Sequence, residues 1–239
     1  MAREKHHRPY RPDRSNLGLS SEACRSVLVI WTPKQPGAPE PRFLARDNPG
    51  MTHSTEDLHV YVRHINADER TSLSVLAQWV PQGATVLDLG CGSGALGQYL
   101  AQHRACTTDG ITWSEAEAAH ARPHYRRVEV ADLETADLHT LLAGQRYDRI
   151  VCADVLEHLR QPERILDTCR ALLAPDGQLL ISVPNAAYCG LVAELLHGEF
   201  RYRDEGLLDR THLRFFTRTS LLRLLHEQGW AVDVLDTIR

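Results

Sequence analysis

The sequence predicts an α/β fold, a doubly wound and mostly parallel sheet with helices on both faces. Three observations carry that expectation. Strand-length apolar runs recur at 85–90, 106–112, 126–131, 147–153, 178–183 and 230–237 with helix-forming segments between them, and this alternation requires crossover connections between parallel strands. The first run leads into TVLDLGCGSGALG, where four glycines fall within eight residues just as a strand should give way to a helix. With 239 residues, 43% apolar and 24% charged, the chain can bury one good core and hardly two.

Taken in order, the first fifty residues differ from the rest. Seven of the twelve prolines fall there, and Arg3, Lys5, Arg8, Arg11 and Arg14 crowd the start. This is the composition of a solvated, disordered tail or linker, 1–50, in which only VLVIW (Val27 to Trp31) is able to form a strand or dock on a domain. Met51 follows Pro49-Gly50, which sets the expected domain at 51–239, and removal of 1–50 is expected to leave ligand binding nearly unchanged. A helix is predicted over 67–79, with Asn66 as N-cap, Asp68 and Glu69 in its positive first turn, and Leu73, Leu76 and Val80 on one face. Another starts near Ala95 after the glycines. The clearest helix runs from Pro162 to Leu173, where Ile165, Leu166, Cys169, Leu172 and Leu173 form a stripe and Pro175-Asp176-Gly177 supplies the stop. Ala187 to His197 can form a helix stopped by Gly198, inside a connection, 185–216, too long for a simple loop and therefore expected to be a lid or substrate-binding insertion. The last strand, 230–237, closes the pattern.

Several function classes are excluded. No run approaches the eighteen or so apolar residues of a membrane span, and no apolar stretch follows the basic N-terminus as in a secretion signal. The six cysteines (Cys24, Cys91, Cys106, Cys152, Cys169, Cys189) show no C-x-x-C pair and read as small buried hydrophobes of a reducing cytoplasm. A formal net charge of −4 gives no field to gather nucleic acid or anionic membrane.

In a parallel sheet, ligands bind at the carboxyl ends of the strands, which places Gly90-Cys91-Gly92-Ser93-Gly94 at the site. Gly92, Gly94 and Gly97 satisfy the G-x-G-x-x-G dinucleotide fingerprint in form. Asp88 argues otherwise. A carboxylate at the end of this strand repels a pyrophosphate and suits a cationic ligand, and S-adenosylmethionine carries an ammonium and a sulfonium but no phosphate.

Asp88-Leu89-Gly90-Cys91-Gly92-Ser93-Gly94 resembles the first motif of the class I S-adenosylmethionine-dependent methyltransferases, whose fold is Rossmann-like. Asp148 to Leu159 resembles that family's fourth-strand motif, and Gly177 to Asn185 its fifth strand. The resemblance covers roughly 51 to 239. It implies that Asp88, Gly90, Cys91, Gly92 and Gly94 contact the cofactor, that Asp132 and its neighbour Leu133 approach the adenine, and that Ala153, Asp154 and the residues up to His158 border the methyl-donor pocket. The family's acidic residue at the end of the second strand is replaced by Thr112, so the ribose falls to Thr112, Asp109, Glu115 or Glu117. The family also leads one to expect a closing antiparallel pair of strands, whereas this sequence offers a single C-terminal strand. The last strand is therefore expected to be lacking, or the chain to be a piece of a longer protein.

GEFRYRDEGLLDRTHLRFF, from Gly198, resembles a sequence of branches related to methionine biosynthesis protein W and of methyltransferases near polysaccharide glycosyltransferases. It places Asp209, Arg210 and His212 near the acceptor. Imidazole takes a proton near neutral pH, so His212 is the candidate base, Asp209 its orienting partner and His158 the alternative. Glu157 and His158 read equally well as a helix-start carboxylate and a surface histidine. His120 and His124 have metal-ligand spacing, but Pro123 interrupts them and no metal site is expected. The expected activity is methylation of an oxygen or nitrogen of a small molecule, glycan or lipid-linked intermediate; DNA-type N6-adenine methylation is disfavoured because the Asn-Pro-Pro-Tyr signature is absent. The alternatives are a non-catalytic methyltransferase-like regulator of a biosynthetic partner protein, separated by cofactor turnover, and a nicotinamide oxidoreductase, separated by pyridine-nucleotide titration.

Overall fold

The computed structural model describes residues 26–33, 42–43, 65–66 and 68–238. The elements are β1 (Ser26–Pro33), β2 (Arg42–Phe43), α1 (Ser72–Gln78), β3 (Thr85–Leu89), α2 (Ala95–Arg104), β4 (Thr107–Thr112), α3 (Glu115–Ala121), β5 (Arg127–Val130), α4 (Leu138–Leu141), β6 (Tyr147–Ala153), α5 (Pro162–Leu172), β7 (Leu173–Pro184), α6 (Cys189–Leu196), α7 (Arg218–Glu227) and β8 (Trp230–Ile238). They form one sheet in the order β2-β8-β1-β7-β6-β3-β4-β5. Strands β3 to β7 are parallel neighbours. From β3 the chain moves outward through β4 and β5, then returns to β6 on its other side, so the switch point lies between β3 and β6, where the carboxyl ends open a crevice.

Alternation along the strands sorts the core into two layers. Val86, Val151 and Leu180 face Val75, Leu76, Leu96 and Leu100. Leu87, Leu89, Ile150, Cys152, Leu179 and Ile181 face α5 and α7 through Ile165, Leu166, Cys169, Leu221 and Leu225. Each fully buried aliphatic side chain contributes about 1.5–3 kcal/mol of transfer free energy. The same alternation puts Asp88 on the Val86 face, beneath α2 and α3.

The sheet departs from the sequence reading at its other end. Val27 to Trp31 lies within β1, and β1 runs antiparallel to both β7 and β8, pairing Ser26–Trp31 with Leu179–Pro184 and Ser26–Pro33 with Trp230–Ile238. The antiparallel pair expected beside the fifth parallel strand is thus formed by β1 with β8, and β1 comes from the N-terminal side. This satisfies the backbone donors and acceptors that would otherwise form open edges on β7 and β8. Residues 1–25, 34–41 and 44–64, and with them the tail reading and the boundary at Met51, lie outside the described residues.

One local expectation is corrected. Helix α1 begins at Ser72, capped by Thr71 rather than Asn66: Thr71 Oγ1 accepts from the Ser74 amide at 3.1 Å and Ser74 Oγ from the Thr71 amide at 2.9 Å. This reciprocal capping box satisfies two donors, whereas Asn66 Oδ1 takes one, from Asp68, in a preceding turn. Helix α5 stops before Pro175-Asp176-Gly177 as expected, and these residues then form a bulge inside β7, between the pairs Tyr147–Leu173 and Arg149–Gln178, with Asp176 left-handed at φ 62°. Of the five described cysteines, all free, Cys91, Cys152 and Cys169 are buried as expected while Cys189 is exposed.

Candidate active site

The glycine loop joins β3 to α2 over the crevice. Gly90 and Cys91 both donate their amides to the Ile111 carbonyl at 2.9 Å, which pins the loop to β4. Gly92, at φ 52°, has no atom closer than Glu117 Oε1 at 3.9 Å from where a Cβ would stand, so this face of the loop is open toward the crevice. Gly97 has another purpose: a Cβ there would meet the Tyr125 ring at 2.1 Å. The third glycine of the apparent dinucleotide fingerprint is therefore a packing position.

Tyr125 explains Asp88. Its hydroxyl donates to Asp88 Oδ2 at 2.6 Å and accepts from the Gly97 amide at 2.9 Å, all within a buried layer. Asp88 is 2% exposed, and this burial pushes its carboxyl up to about 7 despite the Tyr125 hydrogen bond, which lowers it. The Cys91 thiol beside it is pushed up by burial and then by the charges of Asp88 and Glu117, so it is an uncharged packing group.

The end of β4 holds a second acid. Thr112 Oγ1 donates to Glu117 Oε2 at 2.5 Å, and Glu117, in the first turn of α3, turns its other oxygen toward Gly92. The other acids considered for this position are committed elsewhere. Asp109 is 1% exposed on the opposite face and accepts from Arg126 at 2.8 and 2.6 Å and from Tyr147 at 2.7 Å. Burial pushes its carboxyl up, but these hydrogen bonds and the charges of Arg126 and Arg127 win and hold it below the usual range. Glu115 is exposed and paired with Arg122.

Beyond β5, Asp132 is half-buried; its carboxylate accepts from the Glu134 amide at 2.8 Å and the Thr135 hydroxyl at 3.1 Å, and Leu133 packs on the core. At the end of β6, Ala153 is half-buried, and Asp154 just beyond it takes the left-handed conformation at φ 55°, a costly state for a residue with a Cβ. It is held there by Ser182, whose hydroxyl donates to Asp154 Oδ1 at 2.8 Å, and by Ser72, 3.4 Å from Oδ2. Neither Ser72 nor Tyr125 carries a motif signal; only the fold brings them to the crevice.

The 185–216 connection touches the segment that follows β6. Its ends are tied by the Asn185–Phe216 bridge, and the Glu157 carbonyl accepts from the amides of Leu213 and Arg214 at 2.8 and 2.9 Å. His158 and His212 meet edge to face with ring centroids 4.7 Å apart. The expected pairing of Asp209 with His212 is not the one formed. His212 Nδ1 stands 3.0 Å from the Leu207 carbonyl, whereas Asp209 Oδ1 accepts from the Thr211 hydroxyl at 2.7 Å, and that oxygen lies 3.1 Å from His158 Nδ1. Asp209 thus reaches His158 through Thr211. Burial, and then the neighbouring His212, lower the His158 pKa and favour its neutral imidazole. Arg201, Arg203 and Arg210 pair locally with Glu199, Glu194 and Asp204. Among the described residues, Glu157, His158 and His212 come together, with one ligand atom from each within 4.8 Å of the others, and His120 and His124 join no such group. Among the described residues no helix is long and apolar enough to cross a membrane.

A methyltransferase domain family model matches residues 55–235. A ubiquinone biosynthesis O-methyltransferase of Coxiella burnetii (strain Dugway 5J108-111) is 33% identical over 121 residues, 50% of this chain and 51% of that protein. The chain spans about half the length of the curated relatives it matches. Among solved structures, a SAM-dependent methyltransferase from Archaeoglobus fulgidus is similar at TM-score 0.51 and 18% identity, over 66% of each chain. The magnesium protoporphyrin IX methyltransferase from Synechocystis PCC 6803, solved with bound SAH, is similar at TM-score 0.50 and 20% identity, over 67% of this chain and 72% of that one. At these identities the likeness establishes the fold.

Proposed function

The chain belongs to the methyltransferase domain family, and from that premise we propose that it transfers a methyl group from S-adenosylmethionine to an oxygen of a small molecule. The observation that carries the reading is the sign of the charge around the glycine loop. Asp88 lies beneath it and Glu117 faces it across Gly92. Two acids suit a ligand with a cationic amino acid end and a ribose diol, and oppose the pyrophosphate of a nicotinamide dinucleotide.

The donor set fits that cofactor residue by residue. Asp88 supplies negative charge for the ammonium and sulfonium. Gly90, Cys91, Gly92 and Gly94 let the backbone approach the methionine end, Glu117 with Thr112 takes the ribose hydroxyls, and Asp132 and Leu133 border the adenine. Ala153 and Asp154 bound the donor pocket on the β6 side. Bound there, S-adenosylmethionine supplies an electrophilic methyl carbon on a positively charged sulfur. The protein contributes mainly position, holding the acceptor oxygen about 3 Å from that carbon and in line with the bond to sulfur. On the acceptor side stand His158 and His212, with Asp209 orienting His158 through Thr211, and these groups are the ones available to assist loss of the acceptor proton.

An oxygen acceptor is favoured by the O-methyltransferases among the relatives. A glycan or lipid-linked acceptor, nitrogen methylation and a purely regulatory role have no comparable support. Incubating the protein with methyl-labelled S-adenosylmethionine and a small-molecule extract tests the proposal. A labelled methyl ether or ester is expected, and label confined to nitrogen or to no product at all overturns it.

A further inference from the structure

Tyr125 stands between α3 and β5, outside every motif, yet the glycine loop and its neighbours are built around it. A Cβ on Gly94 would come within 3.1 Å of its ring and one on Gly110 within 3.0 Å, and Gly97 packs on the same ring. Glycines from the loop, from α2 and from β4 thus all make room for one aromatic side chain. Its hydroxyl has a defined direction. Helix α2 begins at Gly94, which has no side chain to cap it, so the amides of its first turn need acceptors from elsewhere. The Gly97 amide finds one in the Tyr125 hydroxyl at 2.9 Å. An amide only donates, so the hydroxyl hydrogen goes to Asp88 Oδ2, 2.6 Å away. Burial, and then the Asp88 charge, push the Tyr125 hydroxyl well above its ordinary range, which keeps it the donor. With Oδ2 always accepting, a proton taken up by Asp88 sits on Oδ1. The other titratable groups that face this pair are Cys91 from the loop, Cys152 from β6 and, beyond Cys91, Glu117 from α3. Both thiols stay neutral: burial pushes Cys91 up, and a hydrogen bond with Cys169, followed by burial, does the same to Cys152.

We propose that Tyr125 is a positioning residue of the nucleoside site, tying Asp88 to the start of α2 and keeping Asp88 Oδ1 for the cationic end of the ligand. Its hydrogen bond is stronger to a carboxylate than to a carboxylic acid, so it favours the charged form that such a ligand needs. The effect on binding rests on the methyltransferase reading; the coupling of Tyr125 to Asp88 does not.

Tyr125→Phe keeps the ring and removes the hydroxyl, and two measurements on the full chain separate coupling from packing. The first is urea denaturation without ligand, between about pH 5 and pH 9. The folded Asp88 carboxyl is the raised one, so the parent loses stability as the pH rises toward about 7 and then levels off. In Tyr125→Phe that carboxyl lies higher still, so the loss continues and the gap between the two proteins widens above about pH 7. The same change made in Asp88→Asn should give a gap that does not vary with pH. The second is calorimetry with S-adenosylmethionine, in which Tyr125→Phe should bind about tenfold more weakly at pH 7, with the difference narrowing toward pH 9. A gap that is constant with pH in both backgrounds reduces Tyr125 to packing and overturns the proposal. If Tyr125→Phe does not fold, the double variant with Asp88→Asn decides: a folded double variant supports the coupling, and an unfolded one overturns it. A widening gap in a parent that binds no S-adenosylmethionine sinks the cofactor reading alone, whereas binding by the parent with a constant gap sinks the Tyr125 proposal alone.

Discussion

Replacing Asp88 by asparagine should stabilise the free protein while disabling it. Burial raises the Asp88 carboxyl from its ordinary 3.8 to about 7. At ~1.36 kcal/mol per pKa unit, this gap corresponds to an upper bound of roughly 4 kcal/mol for ionising the group in the fold. The folded pKa is the raised one, so the contribution is fully present below pH 3.8 and is lost as pH rises through about 7. Asparagine has nearly the same shape, its carbonyl can accept the Tyr125 hydroxyl, and it never ionises; its amide hydrogens need new partners, which offsets part of the gain. Urea denaturation at pH 8 should show Asp88→Asn more stable than the parent by about 1–3 kcal/mol, with the difference shrinking toward pH 4. Ligand binding should move oppositely. A cationic ligand requires the ionised form, so the parent's affinity for S-adenosylmethionine should weaken about tenfold per pH unit below about 7 and level off above it, with proton release on binding, while Asp88→Asn binds weakly throughout. A stability difference that does not change with pH, or a variant less stable than the parent at pH 8, would refute the reasoning.

Other consequences follow from the same geometry. Gly97→Ala places a methyl 2.1 Å from the Tyr125 ring, and should cost about 1–3 kcal/mol in denaturation as Tyr125 moves off Asp88; an unperturbed melting curve would count against the Tyr125 anchor. Glu117→Gln should weaken S-adenosylhomocysteine binding by about tenfold to a hundredfold with little change in melting temperature, and equal affinity in calorimetry would return the ribose to Thr112 alone. Val29 pairs with Ile181 on one side and Leu235 on the other, so Val29→Pro removes a ladder donor in mid-sheet and should cost about 1–3 kcal/mol. Composition alone predicts that deleting residues 1–50 leaves ligand binding nearly unchanged, whereas this pairing predicts that the deletion, which removes β1, gives an unstable, aggregating product whose β7 and β8 edges are open; a soluble truncation with unchanged affinity would favour the composition.

What was legible in the sequence is what repeats locally. The strands of the parallel half declare themselves by their apolar runs, α5 by its stripe, and the crevice by glycines that follow a strand. Asp88 could be singled out because its charge conflicts with the dinucleotide reading, but its partner Tyr125 lies 37 residues away and has no motif. The choice among Thr112, Asp109, Glu115 and Glu117 was closed to sequence for a similar reason: it depends on which arginines fold back, and Arg126 and Arg122 occupy two of the three acids. The helix start was misplaced because Asn66 and Thr71 are both good caps, and only Thr71 has Ser74 to complete a capping box. VLVIW is too short, within proline-rich flanks, to announce that it enters the middle of a sheet; its two partners, β7 and β8, come near the other end of the chain. Asp209 was read toward His212, three residues on, but the intervening turn hands it to Thr211 and so to His158.

The central claim is that the acid-lined glycine loop receives a cationic nucleoside and not a pyrophosphate. Isothermal titration of the full chain at pH 8 with S-adenosylmethionine, S-adenosylhomocysteine and NAD in turn tests it most directly. One site per chain is expected for the first two, lost in Asp88→Asn, with no heat from NAD. Saturable binding of NAD, with silence from both adenosyl compounds, would contradict the account.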